Sequence, residues 1–301
     1  MFDALDDILK RIRLRSVFYF HSNFSSPWGM SVPDGPHAQF HLITKGSCVL
    51  KVDNKDLKLF GGDVVMFTSG KRHLLSDGMN NQSVIGSEVV QKIKASANPF
   101  VGDEVAVRLI CGHFEFDSSM SDAFNRSLPD VLLLRSEEIK RNELLRSILE
   151  LIVIESSSYL PGGDVLVSRL GEALFIHLIR TYSELHKDQV GFLAAIQDER
   201  ISAALKLLHE SPEKEWKLGD LARKAGMSRT SLANRFREIV GETPMNYLTN
   251  WRVSLAKQML KESNLQVKEI AFKIGYQSEA AFIRVFRSRL NTTPLKYRVS
   301  S

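Results

Sequence analysis

The chain has 301 residues, of which 44% are hydrophobic and 25% charged, and its formal net charge is +5. That is the composition of a globular protein long enough for two domains, which excludes a disordered or fibrous chain. Two cysteines, Cys48 and Cys111, exclude a disulfide framework and fit a reducing cytoplasmic setting. No apolar run approaches the ~18–20 residues of a spanning helix, and the N-terminus lacks the apolar core of a signal peptide.

Phe2, Leu5, Ile8, Leu9 and Ile12 have helical spacing, so the chain is expected to open with a helix. From about Val17 to Phe116 the texture changes to short runs of strong strand formers. QFHLITKG (39–46), SCVLKV (47–52), LKLF (57–60), DVVMFTSG (63–70) and EVAVRLICGHFEF (104–116) read as strands. Asp53-Asn54, Gly61-Gly62 and Ser76-Asp77-Gly78 punctuate them as turns. Strands this short and dense predict a sandwich or barrel.

After Phe116 the pattern turns helical. Residues 136–157 carry a predicted N-cap at Ser136 and an apolar face of Ile139, Leu144, Leu145, Ile148, Leu149 and Ile152. Pro161-Gly162-Gly163 marks a turn, and residues 164–185 form a helix that is apolar nearly all round, which requires burial in the fold or against a second subunit. HKDQVG (186–191) reads as a linker.

The net charge is unevenly spread. Residues 191–301 hold 19 Lys+Arg against 11 Asp+Glu, a balance of +8, while the preceding 190 residues hold 21 against 24, a balance of −3. The basic third also repeats internally. A shift of 50 residues matches Ser228 to Ser278, Phe236 to Phe286, Arg237 to Arg287, Thr243 to Thr293, Pro244 to Pro294 and Tyr247 to Tyr297, with Leu232 on Phe282. Each Ser can cap a helix whose apolar positions four and eight residues on face inward. A shorter helix ending at Gly226 or Gly275 precedes each one, which makes a helix-turn-helix. An apolar helix at about 244–262 joins the two copies.

Residues 191–301 resemble the DNA-binding domain of the AraC/XylS family of transcriptional regulators. The stretch IAFKIGYQSEAAFIRVFRSRLNTTPLKYR (270–298) is similar to that family's signature region. Upstream, the order His41, Gly46, Gly61-Gly62-Asp63, His73, followed by CGHF (111–114), resembles the cupin-type sensor barrel of a subgroup of these regulators. The expected fold class is therefore α+β. A cupin-like barrel (1–117) is followed by a helical linker and dimerisation segment (118–190), then an all-α module with two helix-turn-helix motifs (191–301).

In such motifs the exposed first turns of the second helix enter the major groove. The expected DNA-reading residues are Arg229, Thr230, Ala233, Asn234 and Arg235 in the first copy, and Glu279, Ala280, Ile283 and Arg284 in the second. Arg284 suits guanine, Asn234 adenine and Glu279 cytosine, while Ala280 and Ile283 suit a thymine methyl. Many family members carry Arg where this chain has Asn234, and neighbouring Arg235 is expected to compensate.

In the barrel, His41, His73, Cys111 and His113 are the plausible effector or metal ligands, with donors suited to Zn²⁺. His37 and His41 would stand ~13 Å apart on one strand, too far for one ion. The usual cupin metal set is absent, so the alternative of a cupin metalloenzyme fused to a DNA-binding module is disfavoured. A sequence-blind architectural DNA binder is a third reading. The resemblance implies a non-enzymatic regulator, habitually an activator, that acts on promoter DNA. It also implies a small-molecule effector, a homodimer and contact with RNA polymerase.

Overall fold

A computed structural model describes residues 4–79, 83–116, 128–158, 160–186 and 191–299. Packing divides the chain into two units. One comprises Leu14–Glu115 with Pro129–Leu185, and the other Met1–Arg13, Phe116–Leu128 and His186–Ser301.

The first unit is built on a curled, mainly antiparallel sheet. Its strands are β1 (Arg15–Ser25), β2 (Gly29–Val32), β3 (Ala38–Val52), β4 (Lys55–Phe60), β5 (Val64–Phe67), β6 (His73–Ser76), β7 (Val84–Ile85), β8 (Val105–Glu115) and β9 (Val131–Leu134). The main path runs β1-β8-β3-β6-β2-β7, with β4 and β5 also on β3 and β9 on β5. The curl comes from β3, which serves two sheets. Its first half pairs with β8 and β5, its second half with β4 and β6, and the register slips between Ile43 and Lys45. Ala38, Phe40, His41, Leu42 and Ile43 are all buried, because both faces of that half are covered. Beyond Ser47 burial alternates through Cys48, Leu50 and Val52, as in a strand with one wet face.

Helices finish this unit. They are α2 (Gly86–Lys94), α3 (Ser136–Lys140), α4 (Glu143–Ser158) and α5 (Gly163–Leu185). Helix α5 lies on β1, where Ser16 Oγ donates to the Ser168 carbonyl and Ser168 Oγ donates back to the Ser16 carbonyl. Phe175 meets Phe114 edge-on at 5.0 Å.

The second unit holds α1 (Ala4–Arg11), α6 (Phe192–Gln197), α7 (Glu199–Glu210), α8 (Leu218–Lys224), α9 (Arg229–Val240), α10 (Pro244–Glu262), α11 (Val267–Lys273), α12 (Glu279–Leu290) and α13 (Pro294–Val299). No helix among the described residues is long and apolar enough to cross a membrane.

Several sequence expectations are revised. Residues 39–52 form one strand, because the ladder continues past Gly46. The helix expected over 136–157 breaks at Arg141-Asn142, where the Asn142 side chain accepts from the Leu145 amide and caps α4. The segment 118–190 is not helical throughout, since β9 extends the sheet. The opening helix packs with the C-terminal helices rather than with the barrel, because its apolar residues Leu5, Ile8 and Ile12 are buried there. Phe2 and the expected boundaries at 117/118 and 190/191 lie outside the described residues.

Candidate nucleic-acid interface and sheet cavity

The two helix-turn-helix units are built alike. Ser228 Oγ accepts from the Ser231 amide at 3.1 Å, and Ser278 Oγ from the Ala281 amide at 3.2 Å, so both second helices start on a hydroxyl cap. Leu232, Phe236, Phe282 and Phe286 are fully buried. Tyr247 meets Phe236 at 5.7 Å and 72°, and Tyr297 meets Phe286 at 5.7 Å and 76°, so the repeat extends to ring packing. The turns differ by one residue. The amide of Met227 reaches back to the Ala222 carbonyl, and that of Tyr276 to the Ala271 carbonyl, which leaves Gln277 as an extra residue before the second cap. This explains why Gly226 and Gly275 do not obey the 50-residue shift.

Buried anchors on one side of α9 and α12 force the other side outward. Arg229, Thr230, Asn234, Ala280 and Arg284 are exposed, and Ala233, Glu279 and Ile283 are partly so. Arg229 and Arg284 have no ion-pair partner among the described residues. Arg235 differs. Its Nε donates to Asp198 Oδ2 at 2.6 Å, and Asp198 in turn caps α7. Burial disfavours the Asp198 carboxylate, but the Ile201 and Arg200 amides and Arg235 outweigh it and hold its pKa below the ordinary value. Arg252 is also structural, donating to the carbonyls of Pro212 and Lys214 from a half-buried position, and Lys257 is buried.

Helix α1 is clamped to this module by a polar chain. His209 stacks on Trp251 at 3.9 Å, with its Nδ1 3.2 Å from Asp7 Oδ2 and its Nε2 2.8 Å from the Tyr247 hydroxyl. The carboxylate can only accept, so Nδ1 carries the proton and Nε2 accepts from Tyr247. Burial lowers the His209 pKa in spite of Asp7.

In the curled sheet, three of the four expected ligands meet. His41 Nδ1 lies 3.0 Å from Cys111 Sγ, His41 Nε2 lies 2.7 Å from His73 Nε2, and His73 Nδ1 lies 2.8 Å from the Lys71 carbonyl. One proton assignment satisfies every group. His73 Nδ1–H donates to the carbonyl, His41 Nε2–H donates to His73, and the Cys111 thiol donates to His41. Burial lowers His41 well below its ordinary pKa and His73 to about 4, and raises Cys111 well above, so the string is neutral. His41 spends its two ring nitrogens on partners at opposite edges. The donors therefore do not converge on one point, and the set does not fit a cupin Zn²⁺ site. His113 is not part of the string. It points the same way from β8, but its Nε2 lies 3.0 Å from Glu115 Oε1.

A cavity of about 360 Å³ opens beside this string, lined among others by Tyr19, Phe20, Met30, Gln39, His41 and Cys111 and covered by Val90 of α2. Sequence reasoning missed this cover. Its signal was the helical spacing of Val89, Val90 and Ile93 behind Gly86. Asp63 of the Gly-Asp motif is a structural hub, accepting from the Phe60 and Ser136 amides and from Arg135 Nη1.

A family model described as cupin matches residues 3–184, and one described as a helix-turn-helix domain matches residues 221–300. The transcriptional regulator AlkR of Acinetobacter baylyi is 29% identical over 99% of this chain and 100% of its own. An AraC-like transcription regulator of Streptomyces antibioticus is 30% identical over 98% of each chain. Among solved structures, the DNA-binding domain of AdpA in complex with target DNA is 31% identical over 32% of this chain and 87% of its own, with a TM-score of 0.32. Matched from end to end by such relatives, this chain belongs to the AraC/XylS family of DNA-binding transcriptional regulators, with a cupin-type N-terminal domain.

Proposed function

We propose that the protein is a sequence-specific regulator of promoter DNA, acting as an activator under the control of a small molecule held in the curled sheet. The observation that carries the DNA half is the paired presentation of α9 and α12. Each is fixed by a hydroxyl cap and two buried apolar anchors, and each offers from its first two turns an arginine with no ion-pair partner among the described residues. Arg229, Thr230, Ala233 and Asn234 then read one stretch of major groove, and Glu279, Ala280, Ile283 and Arg284 another. Arg235, tied to Asp198, sets the orientation of α9 instead of reading a base. Two such units in one chain can reach successive major-groove faces about one helical turn, ~34 Å, apart.

The effector half rests on the cavity beside Tyr19, Gln39 and His41, whose mainly apolar wall and few polar groups suit a small organic molecule. Leu144, Leu151 and Ile154 of α4 and Val165 and Leu166 of α5 are exposed, an apolar face that supports a homodimer through this hairpin. Effector binding then biases an equilibrium between DNA-competent and incompetent arrangements of the two readers. Contact of the DNA-bound dimer with RNA polymerase, in the cytoplasm, completes the proposal. A metalloenzyme reading finds no support in a ligand string that saturates itself.

The proposal is tested on a selected operator. Arg284→Ala is expected to lose discrimination at one base pair, at ~1–3 kcal/mol, whereas Arg287→Ala weakens binding to every sequence alike. An equal loss on all sequences for Arg284→Ala would reduce it to a phosphate contact and refute the base-reading role.

A further inference from the structure

We propose that His37, His113 and Glu115 form a binding site for a divalent transition-metal ion of the Zn²⁺ class, apart from the His41–Cys111–His73 string. One donor atom from each of the three lies within 4.8 Å of the other two. His113 and Glu115 come from one face of β8, two residues apart, and His37 from the turn that leads into β3, whose Gln39 pairs with His113. The His37 and His113 rings stand 4.7 Å apart at 32°. His113 Nε2 and Glu115 Oε1 are already at 3.0 Å. Ligand atoms around a tetrahedral Zn²⁺ with bonds near 2.0–2.2 Å are about 3.3 Å apart, so only modest closure is needed. His37 and Glu115, both partly exposed, can rotate to supply it, and they leave an entry path for the ion.

His113 is the fixed point. It is buried, flanked by Tyr19 at 5.0 Å and by His37, and its Nε2, the nitrogen beside Glu115, is the one placed to ligate the ion. Two imidazoles and a carboxylate make a three-ligand set that leaves a coordination position open. Tyr19 and Gln39, the neighbours of His113, also line the cavity, so the ion would sit at its rim.

The test uses the full-length protein, stripped with a chelator and titrated with ZnCl₂ against a chromophoric competitor. One ion per chain is expected. His37→Ala and Glu115→Gln should each weaken binding by at least about tenfold, whereas His41→Gln and Cys111→Ser leave it within about twofold. A Co²⁺ complex of the wild type should show visible d–d bands without a thiolate charge-transfer band, a readout that does not depend on any variant folding. Absence of stoichiometric binding, unchanged affinity in His37→Ala and Glu115→Gln, or a thiolate band from Cys111 would each overturn the proposal.

Discussion

A methyl group added at Gly112 would fall 2.4 Å from the Val17 carbonyl oxygen and 2.7 Å from the Phe40 ring. The glycine of CGHF therefore exists for packing. It lets Phe40 stack on Phe114 at 4.8 Å, and Phe114 in turn meets α5. Gly112→Ala is expected to cost ~1–3 kcal/mol, seen as a fall of several degrees in the melting temperature; an unchanged melt would mean the strand gives way freely. The neutral histidine string makes a second prediction. The folded pKa of His73, about 4, lies below its ordinary 6.5, and His41 is lowered in the same direction. A depressed histidine contributes stability that is fully present above the unfolded pKa and is lost as pH falls toward the folded one. Stability should therefore decline between pH 6.5 and about 4, by up to about 1.4 kcal/mol per pH unit for each histidine. Urea midpoints near pH 7 and pH 5 should differ for the wild type, and the difference should be smaller in His73→Gln, where His41 alone of the pair still titrates. Equal midpoints in the wild type would mean that these residues are not buried neutral.

At the scale of elements, two glycines of the DNA-binding module, Gly275 in the second helix-turn-helix turn and Gly241 at the C-cap of α9, separate two costs of an L-residue at positive φ. Gly275 has φ +90°, and a Cβ there would lie 2.3 Å from the Glu213 carbonyl oxygen; Gly241 has φ +88° with nothing within 4 Å. Gly241→Ala should cost only the left-handed backbone penalty of ~1–2 kcal/mol, whereas Gly275→Ala adds a backbone clash and should be the more destabilising in thermal melts. Equal effects would remove the clash from the account. The same module shows what could be read in advance. Caps, anchors and the 50-residue repeat were legible because Ser, Phe, Thr-Pro and Tyr each have one role at that spacing. Elements fixed by long-range pairing were not. β9 is a four-residue run whose partner, β5, lies more than sixty residues earlier. The break at Asn142 was hidden because its apolar neighbours keep the helical period across it. At the deep string, the sequence named His41, His73 and Cys111 together, but only the ring geometry showed that they bond to one another. Strand spacing separates His37 from His41, and its proximity to His113 arises instead from the pairing of β3 with β8.

At the scale of the molecule, the modest net charge of +5 resolves into a sheet-based part near −3 and a basic module near +8. The basic part is the one that carries both repeated helix pairs, and it also gathers α1, the first described helix of the chain. Charge alone would give binding to any duplex, weakening steeply with salt; in the proposed function the exposed side chains of α9 and α12 turn that attraction into reading. The most direct test is the specificity ratio of the full-length protein, measured by competition between a duplex selected from a random pool and a scrambled duplex of equal length at one fixed salt concentration. A sequence-reading regulator should prefer the selected duplex by at least ~10³-fold. Equal affinity for the two duplexes would contradict the account and leave a basic, sequence-blind DNA binder in its place.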